Sequence, residues 1–337
     1  MRITLDEVAS KAGVSRGTAS LVLNDRTNAR IGVETRQRIR RVAQELGYEP
    51  NLFARSLSTR RTNTIGLIVP SLRNAFFADV MDAAEVSAHK AGYQALLDAA
   101  PFGENPGDTV VHKLRGWQFD GVLIYSIRGV SAEDILGPQA SRVPVVYLGN
   151  APSPQYDCVV FDLADGARQL VEHLVERGYR RIAYVSPFDA NLARLYEPRY
   201  IAYVDVCERA GLPVRFVRTF PEEETREAGL RTAERLALEP DDVRPDAIVC
   251  HNDTVAIGAY CGAGRAGLRV PDDLAIAGFD GIEEGQYLVR SLTSVVTPIA
   301  PFCAAGIELL VNRIRDAGPR EARTVTLPVS LRIGDTT

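Results

Sequence analysis

The stretch at residues 4–24 reads TLDEVASKAGVSRGTASLVLN and predicts two short helices joined by a tight turn. Thr4 and Glu7 have the spacing of a capping box, which satisfies backbone N–H groups at the start of a helix. Gly13 breaks the first helix, and Ser15 supplies an N-cap for the second. Two short helices around a glycine turn are the layout of a helix-turn-helix.

A third helix completes this N-terminal segment. Its apolar residues fall on one face between residues 33 and 46, and Gly47 ends it. We therefore predict a helix-turn-helix headpiece over residues 1–47. Residues 48–62 are predicted to be a hinge, with a short helix after Pro50 followed by a polar linker.

The headpiece and hinge are basic, whereas the rest of the chain is acidic. Residues 1–61 contain 12 Arg or Lys and 6 Asp or Glu, which is a net charge of +6. The whole chain has 39 basic and 43 acidic residues, so residues 62–337 carry a net charge of −10. A cationic end on an acidic protein is typical of binding to a polyanion, and ion pairs with phosphates make such binding strongly dependent on salt.

From residue 63 onward, short apolar runs alternate with amphipathic helical segments. This alternation predicts parallel sheets that are covered by helices on both faces. Nine or more strands are better divided between two lobes than forced into one sheet. We place the first lobe at about residues 63–160 plus 293–325, and the second at about 161–292 plus the C-terminal end. The predicted fold class is an all-α helix-turn-helix headpiece followed by an α/β effector domain with two doubly wound parallel-sheet lobes.

Composition and spacing argue against several other classes of protein. No apolar run reaches eighteen residues, and the first residues lack the apolar core of a signal peptide, so we expect a cytoplasmic protein without a membrane partner. The five cysteines are widely spaced and form no C-x-x-C pair, and we expect them to be buried small hydrophobes. The four histidines lack the spacing of metal ligands. We therefore expect no metal and no cofactor.

Two alternative functions share an α/β fold. A nucleotide-dependent enzyme is suggested by residues 262–267, which read GAGRAG and fit the G-x-G-x-x-G pattern. That pattern requires a strand before it and a helix after it, whereas here a helical stretch precedes and a strand follows, so we predict that the protein is not an enzyme. A solute-binding protein of a transporter is the second alternative. The headpiece and the lack of a signal peptide argue against it.

Further motifs extend over nearly the whole chain, and they include Gly13-Val14-Ser15, Leu46-Gly47-Tyr48, Asn252-Asp253 and Gly278-Phe279-Asp280. With them the sequence resembles the lactose-repressor (LacI/GalR) family of bacterial transcription regulators. The resemblance implies a homodimer that binds double-stranded operator DNA, with two lobes like those of periplasmic sugar-binding proteins that hold a small-molecule effector. It implies a repressor, with a carbohydrate as the favoured effector and a nucleobase as the alternative.

The resemblance also implies which residues contact DNA. Arg16 and Gly17 occupy the base-reading pair of the second helix, and a guanidinium can bond O6 and N7 of guanine together. Leu57 corresponds to a leucine that wedges between base steps, and its alternative role is to pack on its own headpiece. Leu21 stands where most relatives have Arg, so the operator sequence is not transferred from the family. The predicted DNA-contacting residues are Thr4, Ser15, Arg16, Gly17, Thr18, Ser20, Asn24, Asn51, Ala54, Arg55 and Leu57.

Ligands of open parallel sheets bind outside the carboxyl ends of the strands, so polar and aromatic residues that follow predicted strands are candidates for an effector site. By resemblance, Arg199, Asn252 and Asp280 occupy effector-contacting positions. Phe76, Phe77, Tyr125 and Asp162 line the same cleft. Asp162 has an alternative role as a helix cap and Asp280 as part of a turn. Phe76 and Phe77 have an alternative role as core residues. The predicted effector-contacting residues are Phe76, Phe77, Tyr125, Asn150, Asp162, Arg199, Asn252 and Asp280.

Control of DNA binding is predicted to be a population shift. An effector that closes the lobes changes the relative placement of the two hinge segments, whose helices then gain or lose the helical state that grips the minor groove. The chain ends at Thr337 without a heptad tail, which favours a dimer over a tetramer.

Overall fold

The computed structural model describes residues 3–23, 31–48, 61–99, 118–126, 131–137, 140–149, 154–221, 224–315 and 321–337. The chain divides into two units, residues 1–63 and residues 64–337. Most of the predicted hinge, residues 49–60, lies outside the described residues.

Within its described residues, the first unit contains three helices, α1 (Leu5–Lys11), α2 (Arg16–Leu23) and α3 (Val33–Leu46). The predicted capping box is confirmed, because Thr4 Oγ1 accepts a hydrogen bond from the N–H of Glu7 at 3.3 Å and the N–H of Thr4 donates to Glu7 Oε2 at 2.6 Å. Ser15 caps α2 by accepting from the N–H of Thr18 at 3.1 Å. Gly47 ends α3 with a φ of 64°, a conformation that favours glycine. The helices enclose a small core of Val8, Ala9, Ala12, Ala19, Val22, Ile39, Val42 and Ala43.

The second unit alternates strands and helices, as the apolar pattern predicts. In chain order its described elements are β1 (Thr64–Val69), α4 (Ala75–Lys90), β2 (Gln94–Ala99), β3 (Gly121–Tyr125), α5 (Ala132–Leu136), β4 (Val145–Leu148), β5 (Asp157–Phe161), α6 (Leu163–Glu176), β6 (Ile182–Ser186), α7 (Ala190–Tyr196), α8 (Pro198–Arg209), β7 (Arg215–Arg218), α9 (Arg226–Ala237), β8 (Ala247–Cys250), α10 (Asp253–Arg265), β9 (Ala275–Asp280), a 3-10 helix (Glu283–Tyr287), β10 (Thr293–Val296), α11 (Ile299–Ile314), β11 (Thr324–Leu327) and β12 (Ser330–Arg332). Every residue of β4 and β8 is buried, as expected for strands covered on both faces.

The described strands form two six-stranded sheets, one in each lobe. The first sheet has the order β11-β5-β4-β3-β1-β2, and all of its strand pairs are parallel. The second has the order β12-β10-β9-β8-β6-β7, and only the edge pair β10–β12 is antiparallel. The predicted fold class, a helical headpiece followed by two α/β lobes, is confirmed.

The chain passes between the lobes three times. It leaves the first lobe after β5, returns between β10 and α11, and crosses again between β11 and β12. The predicted lobe limits are wrong at one point, because residues 293–296 form β10 and pair with β9 in the second sheet instead of starting the return to the first lobe. A short apolar strand of this kind fits either sheet, and only the hydrogen bonds to its neighbour decide between them.

All five cysteines are free thiols. Four are buried as expected, but Cys261 is exposed, because it falls on the solvent-facing side of α10. Among the described residues, no helix is both long and apolar enough to span a bilayer.

The glycine-rich residues 262–267 begin inside a helix instead of forming a nucleotide-binding loop. Because α10 extends to residue 265, both Gly262 and Gly264 are helical. A Cβ atom added to Gly258 would overlap the carbonyl oxygen of Arg226 on α9, and Gly262 meets the backbone of the same helix in the same way. Because they lack a Cβ atom, Gly258 and Gly262 allow the backbones of α9 and α10 to pack closely together.

Candidate functional site

The N-terminal end of α2 presents the predicted base-reading residues to solvent. The side chain of Arg16 is 69% exposed, and its Nη1 atom lies 3.6 Å from Oδ2 of Asp6, which is also exposed. An ion pair between two exposed side chains contributes little stability, so Arg16 can exchange this partner for a phosphate or a base. The neighbouring predicted contacts are exposed or half-buried, and they are Ser15, Gly17, Thr18 and Ser20.

The side chain of Thr4 is engaged in capping α1. Its hydroxyl donates to Glu7 Oε2 at 2.9 Å in addition to the two bonds of the capping box. Its contact with DNA stays a prediction. Five other predicted DNA contacts lie outside the described residues, namely Asn24, Asn51, Ala54, Arg55 and Leu57. The predicted effector contact Asn150 also lies outside them.

The first lobe contributes five packed rings, here called the aromatic cluster, which are Phe76, Phe77, Tyr125, Phe161 and Phe302. Tyr125 ends β3, and its ring lies edge-on to Phe77 with centroids 5.0 Å apart and to Phe76 at 5.8 Å. Phe161 ends β5 and stacks on Phe302 of α11 at 4.1 Å. Phe76 and Phe77 are 3% and 7% exposed, so both are largely core residues. The structure therefore favours the core role for Phe77 and extends it to Phe76.

The second lobe contributes six charged or amide side chains, here called the polar cluster, which are Glu197, Arg199, Glu224, His251, Asn252 and Asp280. At its centre, Arg199 Nε and Nη2 donate to the two carboxylate oxygens of Glu197 at 2.6 and 3.0 Å. Its Nη1 donates to the carbonyl oxygen of His251 at 2.7 Å, and its Nη2 lies 3.0 Å from Nε2 of the same residue. The side chains of Glu197 and Arg199 are 7% and 11% exposed. This is a buried ion pair whose geometry is fixed by several hydrogen bonds.

The local sequence Glu197-Pro198-Arg199 explains how this pair forms. Glu197 is the N-cap of α8, where its side chain accepts from the N–H of Arg199 at 3.3 Å, and Pro198 occupies the first helical position. Proline is favoured there because its fixed φ suits a helix start and its missing N–H is not needed. The cap thus brings the carboxylate and the guanidinium together within one helical turn.

The two charges stabilise each other. Burial raises the pKa of Glu197, but the charge and hydrogen bonds of Arg199 outweigh burial and hold that pKa at about 2. Burial likewise lowers the pKa of Arg199, and the charge of Glu197 more than compensates and raises it. Both groups are therefore charged at every physiological pH.

The other carboxyl groups of the polar cluster lack such a partner. Burial raises the pKa of Asp280 well above its usual range, and the charge of Asp253 raises it further. Burial raises the pKa of Glu224 as well, although the charge of Arg199 opposes this. Among the described residues, the carboxylate of Asp280 has no hydrogen-bond partner, so it is available to a ligand.

Asn252 and Asp253 hold the second-lobe strand ends in place. Asn252 is the N-cap of α10, accepting from the N–H of Val255 at 2.9 Å, and its Nδ2 donates to Glu224 Oε2 at 3.2 Å. Asp253 is fully buried and accepts hydrogen bonds from the N–H groups of Gly281 and Ile282 at 2.8 and 3.0 Å. It thereby anchors the loop that follows Asp280, whose φ of 100° is rare outside glycine.

Asp162 is a helix cap, as its alternative role predicts. Its side chain accepts from the N–H of Asp165 at 3.0 Å at the start of α6. A ligand contact by Asp162 stays a prediction.

The polar cluster acts electrostatically on Tyr125 of the aromatic cluster. Burial raises the pKa of Tyr125 in the first lobe, and the charge of Asp280 in the second lobe raises it further. Arg199, Glu224 and Glu197 act on the same hydroxyl. Nearby, the hydroxyl of Thr254 on α10 donates to Asn74 Oδ1 at 3.0 Å, which links the second lobe to the N-cap of α4 in the first.

Three residues of the polar cluster are absent from the predicted set. The N-cap signal of Glu197 before a proline was visible in the sequence, and His251 follows β8 directly, next to the predicted Asn252. Glu224 lies 3.6 Å from Nε2 of His251 through its Oε1 atom. It is the last of three consecutive glutamates, and no local pattern distinguishes it from its neighbours.

Two family models match the chain. A model of the bacterial regulatory proteins of the lacI family matches residues 4–51, and a model of a periplasmic binding protein-like domain matches residues 171–337. The HTH-type transcriptional regulator GntR of Escherichia coli strain K12 is 34% identical over 320 residues, which cover 93% of this chain and 92% of GntR.

Solved structures show the same fold over the full length. The lac repressor dimer bound to operator and the anti-inducer ONPF matches with a TM-score of 0.83 at 23% identity, covering 100% of this chain and 99% of that one. The complex of the transcriptional regulator CelR with cellobiose matches with a TM-score of 0.70 at 28% identity, covering 100% of both chains.

Proposed function

This chain belongs to the LacI family of bacterial regulatory proteins, and we propose that it is a homodimeric repressor whose grip on operator DNA is controlled by a sugar or sugar derivative bound between the lobes. Membership in the family makes it a transcription regulator with effector-controlled DNA binding. GntR, which matches nearly the whole chain, is a transcriptional regulator.

The proposal of a sugar rests above all on the pairing of Tyr125 and Phe161, the two half-buried rings of the aromatic cluster, with the polar cluster. A sugar ring has apolar C–H faces and a rim of hydroxyl groups, so it needs flat apolar walls on one side and hydrogen-bonding groups on the other. Tyr125 packs in the aromatic cluster, and charges of the polar cluster act on its hydroxyl group. The CelR structure holds cellobiose, a neutral sugar, in a protein of the same fold.

The effector is tested by thermal unfolding combined with DNA binding. The full-length protein is screened against cellobiose, ribose, glucose and adenine, and each compound that raises the melting temperature is added to a titration of DNA from upstream of its own gene. We expect at least one sugar to stabilise the protein and to change its affinity for that DNA. Stabilisation by adenine alone would replace the sugar by a nucleobase, and a DNA affinity that no compound changes would refute the effector role.

The DNA contacts of α2 are tested by the variant Arg16→Ala. A bidentate bond to guanine gives about 1–3 kcal/mol of discrimination, so we expect operator affinity to fall about 10-fold to 100-fold while affinity for unrelated DNA falls less. Arg41→Ala is a matched control, because Arg41 is an exposed arginine on α3 and its removal changes the net charge equally. If both variants weaken both DNAs to the same extent, Arg16 acts through phosphates and reads no base.

A further inference from the structure

Arg199 has little hydrogen-bonding capacity left for a ligand. A guanidinium has five N–H groups, and three of them donate to the two carboxylate oxygens of Glu197 and the carbonyl oxygen of His251. A fourth lies on Nη2, which is 3.0 Å from Nε2 of His251. Among the contacts of the described residues, one N–H on Nη1 remains. A single donor can bind a hydroxyl group, but it cannot form the bidentate clamp with which arginine binds a carboxylate or phosphate.

The face of the guanidinium is also covered. Its central carbon Cζ lies 5.5 Å from the ring centroid of Phe279, and the whole side chain is only 11% exposed. Little of the guanidinium surface is therefore left for a ligand to contact.

Carboxyl groups outnumber cations in the polar cluster. Glu197 neutralises Arg199, while Glu224 and Asp280 add two carboxyl groups within electrostatic range of the same guanidinium. Among the described residues of the cluster, Arg199 is the single permanent cation. Transfer of an anionic ligand from water into this cluster is unfavourable, because the ligand loses its hydration and gains no uncompensated positive charge in return.

We propose that Glu197 sets the charge selectivity of the cleft: by occupying Arg199 it makes the site accept neutral or cationic hydroxyl-rich ligands, such as sugars and amino sugars, and reject their carboxylated and phosphorylated counterparts. This role rests on the proposed effector function of the cleft and narrows its ligand class. Glu197 is a positioning residue for Arg199, and its role as the N-cap of α8 fixes it in that position.

Anion binding tests the role of Glu197 without knowledge of the effector. Thermal unfolding of the full-length wild type and of Glu197→Gln is compared in phosphate and in chloride at equal ionic strength. Glutamine keeps the shape and the capping oxygen of Glu197 but leaves Arg199 without its counter-charge. We expect phosphate to raise the melting temperature of Glu197→Gln by about 2–4 °C relative to chloride and to leave the wild type unchanged. An equal response of the two proteins would overturn the proposal.

Glu224→Gln is the matched control. It removes the same charge from the same cluster, but Glu224 bonds to Asn252 and not to Arg199. We expect no gain of phosphate stabilisation in this variant, and a gain equal to that of Glu197→Gln would overturn the specific role of Glu197. Glu197→Ser, which retains an N-cap hydroxyl, is a second variant with the same expected gain if Glu197→Gln does not fold.

Matched sugars then test selectivity directly. Calorimetric titration of the wild type with glucose, glucosamine and glucuronate is expected to give no binding of glucuronate tighter than that of glucose. In Glu197→Gln the ratio of glucuronate to glucose affinity is expected to rise about tenfold or more, because charge-assisted bonds to Arg199 become available. A wild type that prefers glucuronate would overturn the proposal. A protein that binds no sugar, yet gains phosphate binding in Glu197→Gln, would refute the sugar effector and support the role of Glu197.

Discussion

The two lobes share one plan of parallel strands but place opposite chemistry at the strand ends. The first lobe supplies aromatic rings, Phe76, Phe77, Tyr125, Phe161 and Phe302. The second supplies charged and amide groups, Glu197, Arg199, Glu224, His251, Asn252 and Asp280. A repeated fold therefore determines where a ligand binds, whereas the side chains at the strand ends determine which ligand it is.

The lobes also differ in how each accommodates a buried aspartate. Asp157 in the first lobe is bonded by Arg313 Nε and Nη2 at 2.7 and 2.8 Å, and these bonds outweigh burial and lower its pKa. Asp253 in the second lobe has only uncharged hydrogen-bond donors, so burial raises its pKa to about 7. A cation partner thus makes a buried carboxylate stabilising, and backbone donors alone do not.

The largest expected effect concerns the helix packing of the second lobe. Gly258→Ala would push a Cβ atom into the carbonyl oxygen of Arg226, and backbone cannot yield as a flexible side chain can. We expect a loss of about 3 kcal/mol or more in unfolding free energy, measured by denaturant titration. Gly264→Ala on the same helix is the control, because a Cβ there meets nothing within 4 Å. It should be neutral or stabilise by up to about 1 kcal/mol, and an equal loss in both variants would mean that α9 and α10 pack less closely.

Opposite pH dependences should separate the two buried aspartates. Asp157→Asn is expected to cost about 2–4 kcal/mol of unfolding free energy at pH 7, because it leaves Arg313 without its charged partner. The folded pKa of Asp157 is lowered, so this contribution is present above the unfolded pKa of about 4 and is lost as the pH falls through the folded value. The cost of the variant should therefore shrink in acid.

The reverse is expected for Asp253→Asn. Because the folded pKa of Asp253 is raised, its contribution to stability is complete below about pH 4 and is lost as the pH rises towards about 7. As the pH rises from about 4 to about 7, the unfolding free energy of Asp253→Asn should therefore increase relative to that of the wild type. Denaturant titrations at several pH values measure this difference. Parallel pH profiles for Asp157→Asn and Asp253→Asn would show that the lobes do not differ in this respect.

A smaller effect should distinguish the polar from the aromatic side of the cleft. Asp280→Asn removes a carboxyl group that has no hydrogen-bond partner among the described residues and is open to a ligand, so we expect effector affinity to fall about 10-fold to 100-fold. Tyr125→Phe keeps the ring and loses only the hydroxyl, and we expect a change of about threefold or less. Calorimetric titration with whichever ligand the thermal screen identifies gives both values. A larger loss in Tyr125→Phe would show that the first lobe also contributes hydrogen bonding.

Local patterns were enough to predict the headpiece and the alternation of strands and helices. Thr4, Glu7 and Ser15 determine helix starts through bonds within three residues, and such bonds are readable in a sequence. The assignment of β10 to the second sheet was not readable, because it depends on pairing with β9. A register between strands is a tertiary property, and four apolar residues fit several partners.

The candidate site was predicted in part for the same reason. Arg199, Asn252 and Asp280 follow a family pattern, and the structure places them in one cluster with Tyr125 nearby. The pairing of Glu197 with Arg199 needs a folded helix start to bring the two side chains together. Glu224 reaches Asn252 from a loop 28 residues earlier, which no local rule anticipates.

The three passages between the lobes have a mechanical consequence. Because β5, β10 and β11 each continue into the opposite lobe, the two bodies are joined by three separate tethers and not by one. Several short tethers resist sliding and pulling apart, and they leave rotation about the line that joins them as the easiest motion. We therefore expect a ligand bound between the lobes to drive such a rotation, with the greatest displacement farthest from the tethers.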